Sequence, residues 1–300
     1  MSETLPVKIR KNIEQIRLDN TSGSVELAKK SAELLIHLVD NNGSHAEIKN
    51  AASSLTKAQP TMASIFNLVN NVMIAIDKDK NQELKHVVQH YCKKFLQDLQ
   101  TSDESIRNQV INHIKDKSTI ITHSYSATVL STLLFAKKAG KKFSVICTES
   151  RPKNEGILLA KQLGSNNINV KLIVDSTVFS LIADADMILV GGDAVTTKGL
   201  INKIGTKGIA MVAHHYKIPM YALCSTIKFL PDDYPVALDL KKNPHEILSR
   251  KISNITPINY YFDCTPLNFL TGIITEQEIL QPTKIKEYIK HQKIHNIFKK

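Results

Sequence analysis

The sequence predicts an α/β protein: an amino-terminal helical domain over residues 1–116, then a Rossmann-like domain over 117–300 with a doubly wound, mainly parallel sheet. Three observations carry this. Up to about residue 116 the apolar residues keep helical spacing, and no strand-like alternation interrupts them. From Ser118 onward, short β-branched runs alternate with helix-length segments, which is the grammar of βαβ units and right-handed crossovers. Polar turns follow several of those runs, at the strand ends where parallel sheets place chemistry.

Val25–Val39 opens the helical part, with apolar residues at 25, 28, 32, 35 and 39 stepping by three and four. The polar loop Asp19-Asn20-Thr21-Ser22-Gly23-Ser24 before it suits either a helix cap or an anion cradle. Further helices are expected at Met62–Ile76, Glu83–Leu99 and Ser105–Ile114. Strands are expected at Thr119–Thr122, Phe143–Cys147, Val170–Val174, Met187–Val190 and Met220–Cys224. The Gly191–Thr206 stretch reads as a long turn after the fourth strand, leading into a helix over Gly208–Tyr216.

Composition narrows the function. A 42% hydrophobic share over 300 residues builds real cores. The net charge of +11 is spread over scattered lysines without a Trp or an aromatic-plus-basic motif, so direct nucleic-acid binding is not expected. The four cysteines, 92, 147, 224 and 264, show no metal-ligand spacing, which points to a reducing cytoplasm and to no metal or cofactor. No signal peptide opens the chain, and no apolar run reaches the roughly 18 residues of a membrane span.

The turns after the first, second, fourth and fifth strands are expected to converge on one crevice holding Ser124, Ser126, Arg151, Asp193, Asn202, Lys203 and Lys228. One carboxylate among three cations and several hydroxyls describes a site for a phosphorylated, polyhydroxylated small molecule. The amides at the helix start after Thr206 add an expected phosphate position. His123 reads as a hydrogen-bonded structural group, Cys224 as a packed thiol, and the adjacent His214 and His215 point to different helix faces. Glu149 reads as a partner for Arg151 or a lysine. The lysine-rich run from Lys284 to Lys300 reads as a solvated terminal helix, or as a surface for an acidic partner. Asn259–Glu276 is aromatic and poor in charge, which suits burial in the sheet domain or in an interface between subunits.

The motifs T-H-S-Y-S at 122–126, T-E-S-R-P at 148–152, G-G-D-A-V at 191–195, N-K-I-G-T at 202–206 and D-C-T-P…I-I-T-E at 263–276 resemble the alpha/beta/delta subunit family of translation initiation factor 2B. That family includes archaeal-type ribose-1,5-bisphosphate isomerases and, more distantly, methylthioribose-1-phosphate isomerases. Five motifs in order make the resemblance specific, and it spans nearly the whole chain. It implies that Asp193 is the catalytic carboxylate, that Ser124 stands where the isomerases have a cysteine, and that Gln59 stands where they have an arginine. A Ser hydroxyl needs a dedicated base where a thiol does not. The resemblance therefore implies a regulatory subunit that binds a sugar phosphate or nucleoside monophosphate through Ser22, Gly23, Ser124, Ser126, Arg151, Asp193, Asn202, Lys203 and Lys228 without turnover. The alternative is a ribose-1,5-bisphosphate isomerase-type aldose–ketose isomerase. It also implies a homodimer or higher oligomer, with translation initiation factor 2 as the expected protein partner.

Overall fold

The computed structural model describes all residues except 1–4, 20, 21, 80, 233, 235, 237, 239, 240 and 300. Helices α1 (Val7–Leu18), α2 (Ser24–Asp40), α3 (His45–Ala58), α4 (Ala63–Lys78) and α5 (Leu84–Val110) come first. α4 is buried on almost every face, from Ala63 to Ile76, so it is the axis around which the other helices pack. Its buried asparagines reach into the second half of the chain. Asn67 Nδ2 donates to the carbonyls of Ile227 and Phe229 at 2.6 and 2.7 Å, and Asn70 binds Lys293 O and His295 N at 2.9 and 2.8 Å.

Neither α1 nor α3 is foreseen by the sequence reading. α1 buries only Ile9, Ile13 and Ile16, and the inner face of α3 is largely small, with Ala51, Ala52 and Ala58 beside Ile48 and Leu55. Stripes so narrow or so small give a weak periodic signal. The two helices expected at Glu83–Leu99 and Ser105–Ile114 are one helix of 27 residues, because no Gly or Pro breaks it and Ser102 turns inward. The end of that helix crosses into the second half: Ile106, Val110 and Ile114 share a core with Ile120, Val145 and Leu189 of the sheet.

The main sheet holds β1 (Ser118–Thr122), β2 (Phe143–Thr148), β3 (Asn169–Ile173), β4 (Met187–Val190), β7 (Met220–Leu223), β9 (Gly272–Ile274) and β10 (Ile279–Leu280), and β5 (Ala194–Thr196), β6 (Gly199–Lys203) and β8 (Phe262–Thr265) form a second sheet. Their order is β10-β9-β7-β4-β1-β2-β3, parallel throughout except for the antiparallel edge pair β9–β10. Helices α6 (Ala127–Lys138), α7 (Glu155–Ser165), α8 (Val178–Leu181), α9 (Thr206–Tyr216) and α10 (Pro282–Lys290) complete the fold. Each strand expected from the sequence is present within one residue of its expected bounds. The chain leaves β1 in one direction toward β2 and β3, and returns on the other side at β4. The switch point therefore lies between β1 and β4, where an open α/β sheet makes a crevice outside the strands' carboxyl ends.

The stretch after β4 departs from expectation. It is a hairpin, with β5 (Ala194–Thr196) antiparallel to β6 (Gly199–Lys203), and β8 (Phe262–Thr265) pairs with β6 on its other side. A three-residue strand joined to a five-residue one by a Thr197-Lys198 turn is too short to declare a period. As a result Asn202 and Lys203 stand on a buried strand and not on a loop. The lysine-rich terminus is α-helical from Pro282 to Lys290, with Ile285 and Ile289 buried, and makes a short 3-10 turn at Asn296–Phe298. In Asn259–Glu276, Tyr261, Leu267 and Leu270 are buried within the chain itself.

Candidate functional site

A cavity of ≈ 400 Å³ opens at the switch point. Its floor is the ends of β1 and β4, one wall is the start of α2, and the other is α7 with β6 and Tyr261. Glycines let these pieces meet. A Cβ on Gly191 would come within 2.6 Å of Ser126 Oγ, so Gly191 lets the start of α6 press against the end of β4. A Cβ on Gly156 would lie 1.9 Å from the carbonyl oxygen of Thr148, so only glycine permits the first turn of α7 to lie on β2. That close approach brings Glu155 to Ser124.

Ser124 follows β1 with φ 68°, a left-handed conformation unusual for a residue with a side chain, and its amide is held by Ser150 Oγ at 2.8 Å. Its hydroxyl donates to Glu155 Oε1 at 3.2 Å. Lys203 Nζ lies 2.5 Å from the same oxygen, with its ammonium 4.9 Å from the centre of the Tyr261 ring. Lys228, also buried, donates to the carbonyl of Gly192 at 2.7 Å. Asn202 Nδ2 donates to Thr206 Oγ1 at 3.0 Å, and Ser126 Oγ caps α6 by accepting from Val129 N at 3.3 Å.

Asp193 is seated by its backbone: its N–H donates to Ile201 O at 2.9 Å, and its carbonyl accepts from Ala63 N at 3.2 Å. Its side chain lines the cavity, half-buried. That burial raises its pKa, against the pull of Lys228, a hydrogen bond from Ser24 and the charge of Lys203. A carboxyl so placed holds a proton more readily than an ordinary aspartate, which is what a general acid requires.

Ser22, Gly23, Ser124, Ser126, Asp193, Asn202, Lys203 and Lys228 all line this cavity. Arg151 does not. It is exposed; its backbone N–H is taken by Asp175 Oδ2 at 2.7 Å, and its guanidinium extends toward Glu246 O at 3.5 Å. The expectation for Arg151 is corrected: the turn after β2 is fastened to the turn after β3 and directs the side chain away. The expected anion position at the start of α9 is also filled by the chain itself. Asp263 accepts from Gly205 N at 2.8 Å and from Lys207 N at 3.1 Å. A different helix start faces the cavity: α2 begins at Gly23 with no side-chain cap among the described residues, and Ser24, Val25, Glu26 and Lys29 stand on the wall. Asn20 and Thr21 of the expected anion loop lie outside the described residues.

His123 uses both ring nitrogens within the protein, Nδ1 with Thr148 Oγ1 at 2.7 Å and Nε2 with Ile204 O at 2.8 Å, and burial lowers its pKa. Burial pushes the Cys224 thiol up to about 12, which keeps it protonated. Gln59 spends its amide on the carbonyls of Ile16 and Asp19 at 2.8 and 3.1 Å. The sequence reading missed Glu155, Lys242 and Tyr261. Glu155 sits three residues beyond Pro152 and one before Gly156, and a carboxylate opening a helix directly after a strand-end turn was the available signal.

A family model described as the initiation factor 2 subunit family matches residues 15–282. A Pyrococcus furiosus protein described as translation initiation factor eIF-2B subunit 2-like is 33% identical over 284 residues, covering 93% of this chain and 99% of its own. A ribose 1,5-bisphosphate isomerase of Methanocaldococcus jannaschii is also 33% identical, over 285 residues, covering 91% and 92%. The crystal structure of the Pyrococcus horikoshii translation initiation factor eIF-2B superposes with a TM-score of 0.82 at 29% identity, covering 93% of this chain and 98% of that one. A 5-methylthioribose 1-phosphate isomerase from the same organism gives 0.75 at 22% identity, covering 94% and 86%, which speaks for the fold. A sheet switching direction between β1 and β4, a cavity at that point and a match across nearly the whole chain agree: the protein belongs to the initiation factor 2 subunit family.

Proposed function

We propose that the cavity binds a ribose phosphate and that the chain acts on it as an aldose–ketose isomerase. The observation that carries this is Asp193, a carboxyl on the cavity wall near Lys228 and Lys203, its pKa raised by burial. Such a group suits the oxygen chemistry of a ribose esterified at C1. The C2–H electron pair forms the C1=C2 bond as C2 gives up its proton, the ring C1–O bond breaks with its pair leaving on the ring oxygen, and Asp193 supplies the proton that oxygen needs. The C2 hydroxyl later returns a proton to the carboxylate as the ketone forms. The lysines and the uncapped start of α2 suit the phosphate charges. The relatives named as ribose 1,5-bisphosphate isomerases support the substrate class. The test is conversion of ribose 1,5-bisphosphate to the ketose, followed by NMR. Wild-type turnover lost in Asp193→Asn supports the reading, and wild type without turnover rejects it.

A second reading, a regulatory subunit that binds the ligand without turnover and acts on translation initiation factor 2, is favoured by the hydroxyl at Ser124 and by the commitment of Gln59 to backbone carbonyls. Calorimetric binding of the same sugar phosphate with no conversion would select it.

A further inference from the structure

A serine hydroxyl near neutral pH neither takes nor gives a proton readily unless a neighbour accepts its own. Ser124 has such a neighbour. Its Oγ–H is directed at Glu155 Oε1 at 3.2 Å, and Lys203 fixes that oxygen from the other side at 2.5 Å. All three side chains line the cavity that Asp193 faces. The other carboxylate oxygen, Glu155 Oε2, is buried with no hydrogen-bond partner among the described residues. An ion pair with a purely structural role tends to have both oxygens satisfied. The strained backbone of Ser124 and the Gly156 approach, which together bring the two residues into register, belong to the same few positions.

We infer that Ser124 and Glu155 form a proton-relay pair, with Glu155 the base that lets the Ser124 hydroxyl act on the sugar carbon. The inference rests on the isomerase reading and assigns its second proton-moving group. In the first half, Ser124 Oγ takes the proton from C2 while its own proton passes to Glu155. The C2–H electron pair becomes the C1=C2 bond, and the pair of the breaking ring C1–O bond leaves on the ring oxygen, which Asp193 protonates. In the second half, the proton on Glu155 returns through Ser124 to C1, and Asp193 recovers its proton from the C2 hydroxyl. Both side chains end as they began, and no oxidant or reductant is consumed. Lys203 is a positioning residue: it holds the carboxylate where the hydroxyl can reach it.

The experiment uses the full-length protein with ribose 1,5-bisphosphate, measuring kcat, KM and the incorporation of deuterium from D2O at C1 of the ketose. Glu155→Gln and Ser124→Ala are each expected to lower kcat by about 100- to 10,000-fold, with KM within about threefold. The double variant is expected to lose no more than either single one, because the two residues act as one unit. A thiol ionises without a dedicated base, so Ser124→Cys added to Glu155→Gln is expected to restore at least about tenfold of the lost rate. Glu155 held only for structure predicts otherwise: lowered thermal stability, no rescue by the thiol, and losses that add. That result overturns the relay while wild-type turnover leaves the isomerase reading standing. Full activity in Ser124→Ala overturns it likewise, since Glu155 would then act alone. Wild type that binds the bisphosphate without converting it removes the isomerase reading and the relay together.

Discussion

Replacing Asp263 with asparagine is expected to make the protein's stability less dependent on pH. Asp263 sits on β8 with its carboxylate over the start of α9, where Oδ2 accepts from Gly205 N and Lys207 N. Burial nevertheless wins over those bonds and over the charge of Lys207, and its pKa rises from 3.8 to about 6. An acid whose folded pKa lies above its unfolded value favours the fold fully below the unfolded value. It loses that contribution as pH rises through the folded one. The gap of about two pH units amounts to about 3 kcal/mol, of which about 2 fall between pH 4.5 and pH 7.5. Asparagine keeps an oxygen that can accept from both amides and never has to ionise. Urea unfolding of wild type and Asp263→Asn across that range should show the difference moving by about 2 kcal/mol in favour of asparagine as pH rises. A difference that stays flat, or moves the other way, would refute the claim that burial dominates at this carboxyl.

Four further outcomes are expected. Gly156→Ala should destabilise by several kcal/mol or prevent folding, because its methyl meets the carbonyl of Thr148; thermal melts check this. Lys203→Ala should weaken sugar-phosphate affinity by about tenfold or more and also lower the melting temperature, since it leaves Glu155 without its counter-charge; calorimetry reads the first effect. Raising the pH should lower turnover as Asp193 gives up its proton at a pH above the usual carboxylate range, and Asp193→Asn should remove both turnover and that limb of the profile. Light scattering should show an assembly heavier than the 33.5 kDa chain, and a single-chain mass across micromolar concentrations would reject the expected oligomer.

The sheet was the most legible part of the sequence, because each buried parallel strand is a short unbroken apolar run between polar turns, as in Met187–Val190. That run also located Asp193, since a carboxylate just past a Gly-Gly break has little choice but to face the crevice. Helices α1 and α3 were illegible because alanine and a three-residue isoleucine stripe carry too little contrast against their polar faces. The hairpin after β4 failed for a different reason: it exists because β8, some sixty residues later, pairs with β6, and no local pattern announces a partner so distant. Arg151 shows the same limit at the level of one side chain. Its position after β2 was foreseeable, while the direction of its guanidinium depends on Asp175 gripping the backbone.

The backbone of a single residue ties the layers together. The backbone of Asp193 gives its N–H to the hairpin at Ile201 and receives, on its carbonyl, the first amide of α4 at Ala63. The residue whose side chain lines the cavity is thus spliced into the joint between the helical half and the sheet half. If the proposed ligand engages Asp193, that joint is expected to tighten. The Ala63 amide is therefore a gauge of that joint: its hydrogen exchange should slow when the cavity is filled, as should that of Ile201's neighbours on the hairpin.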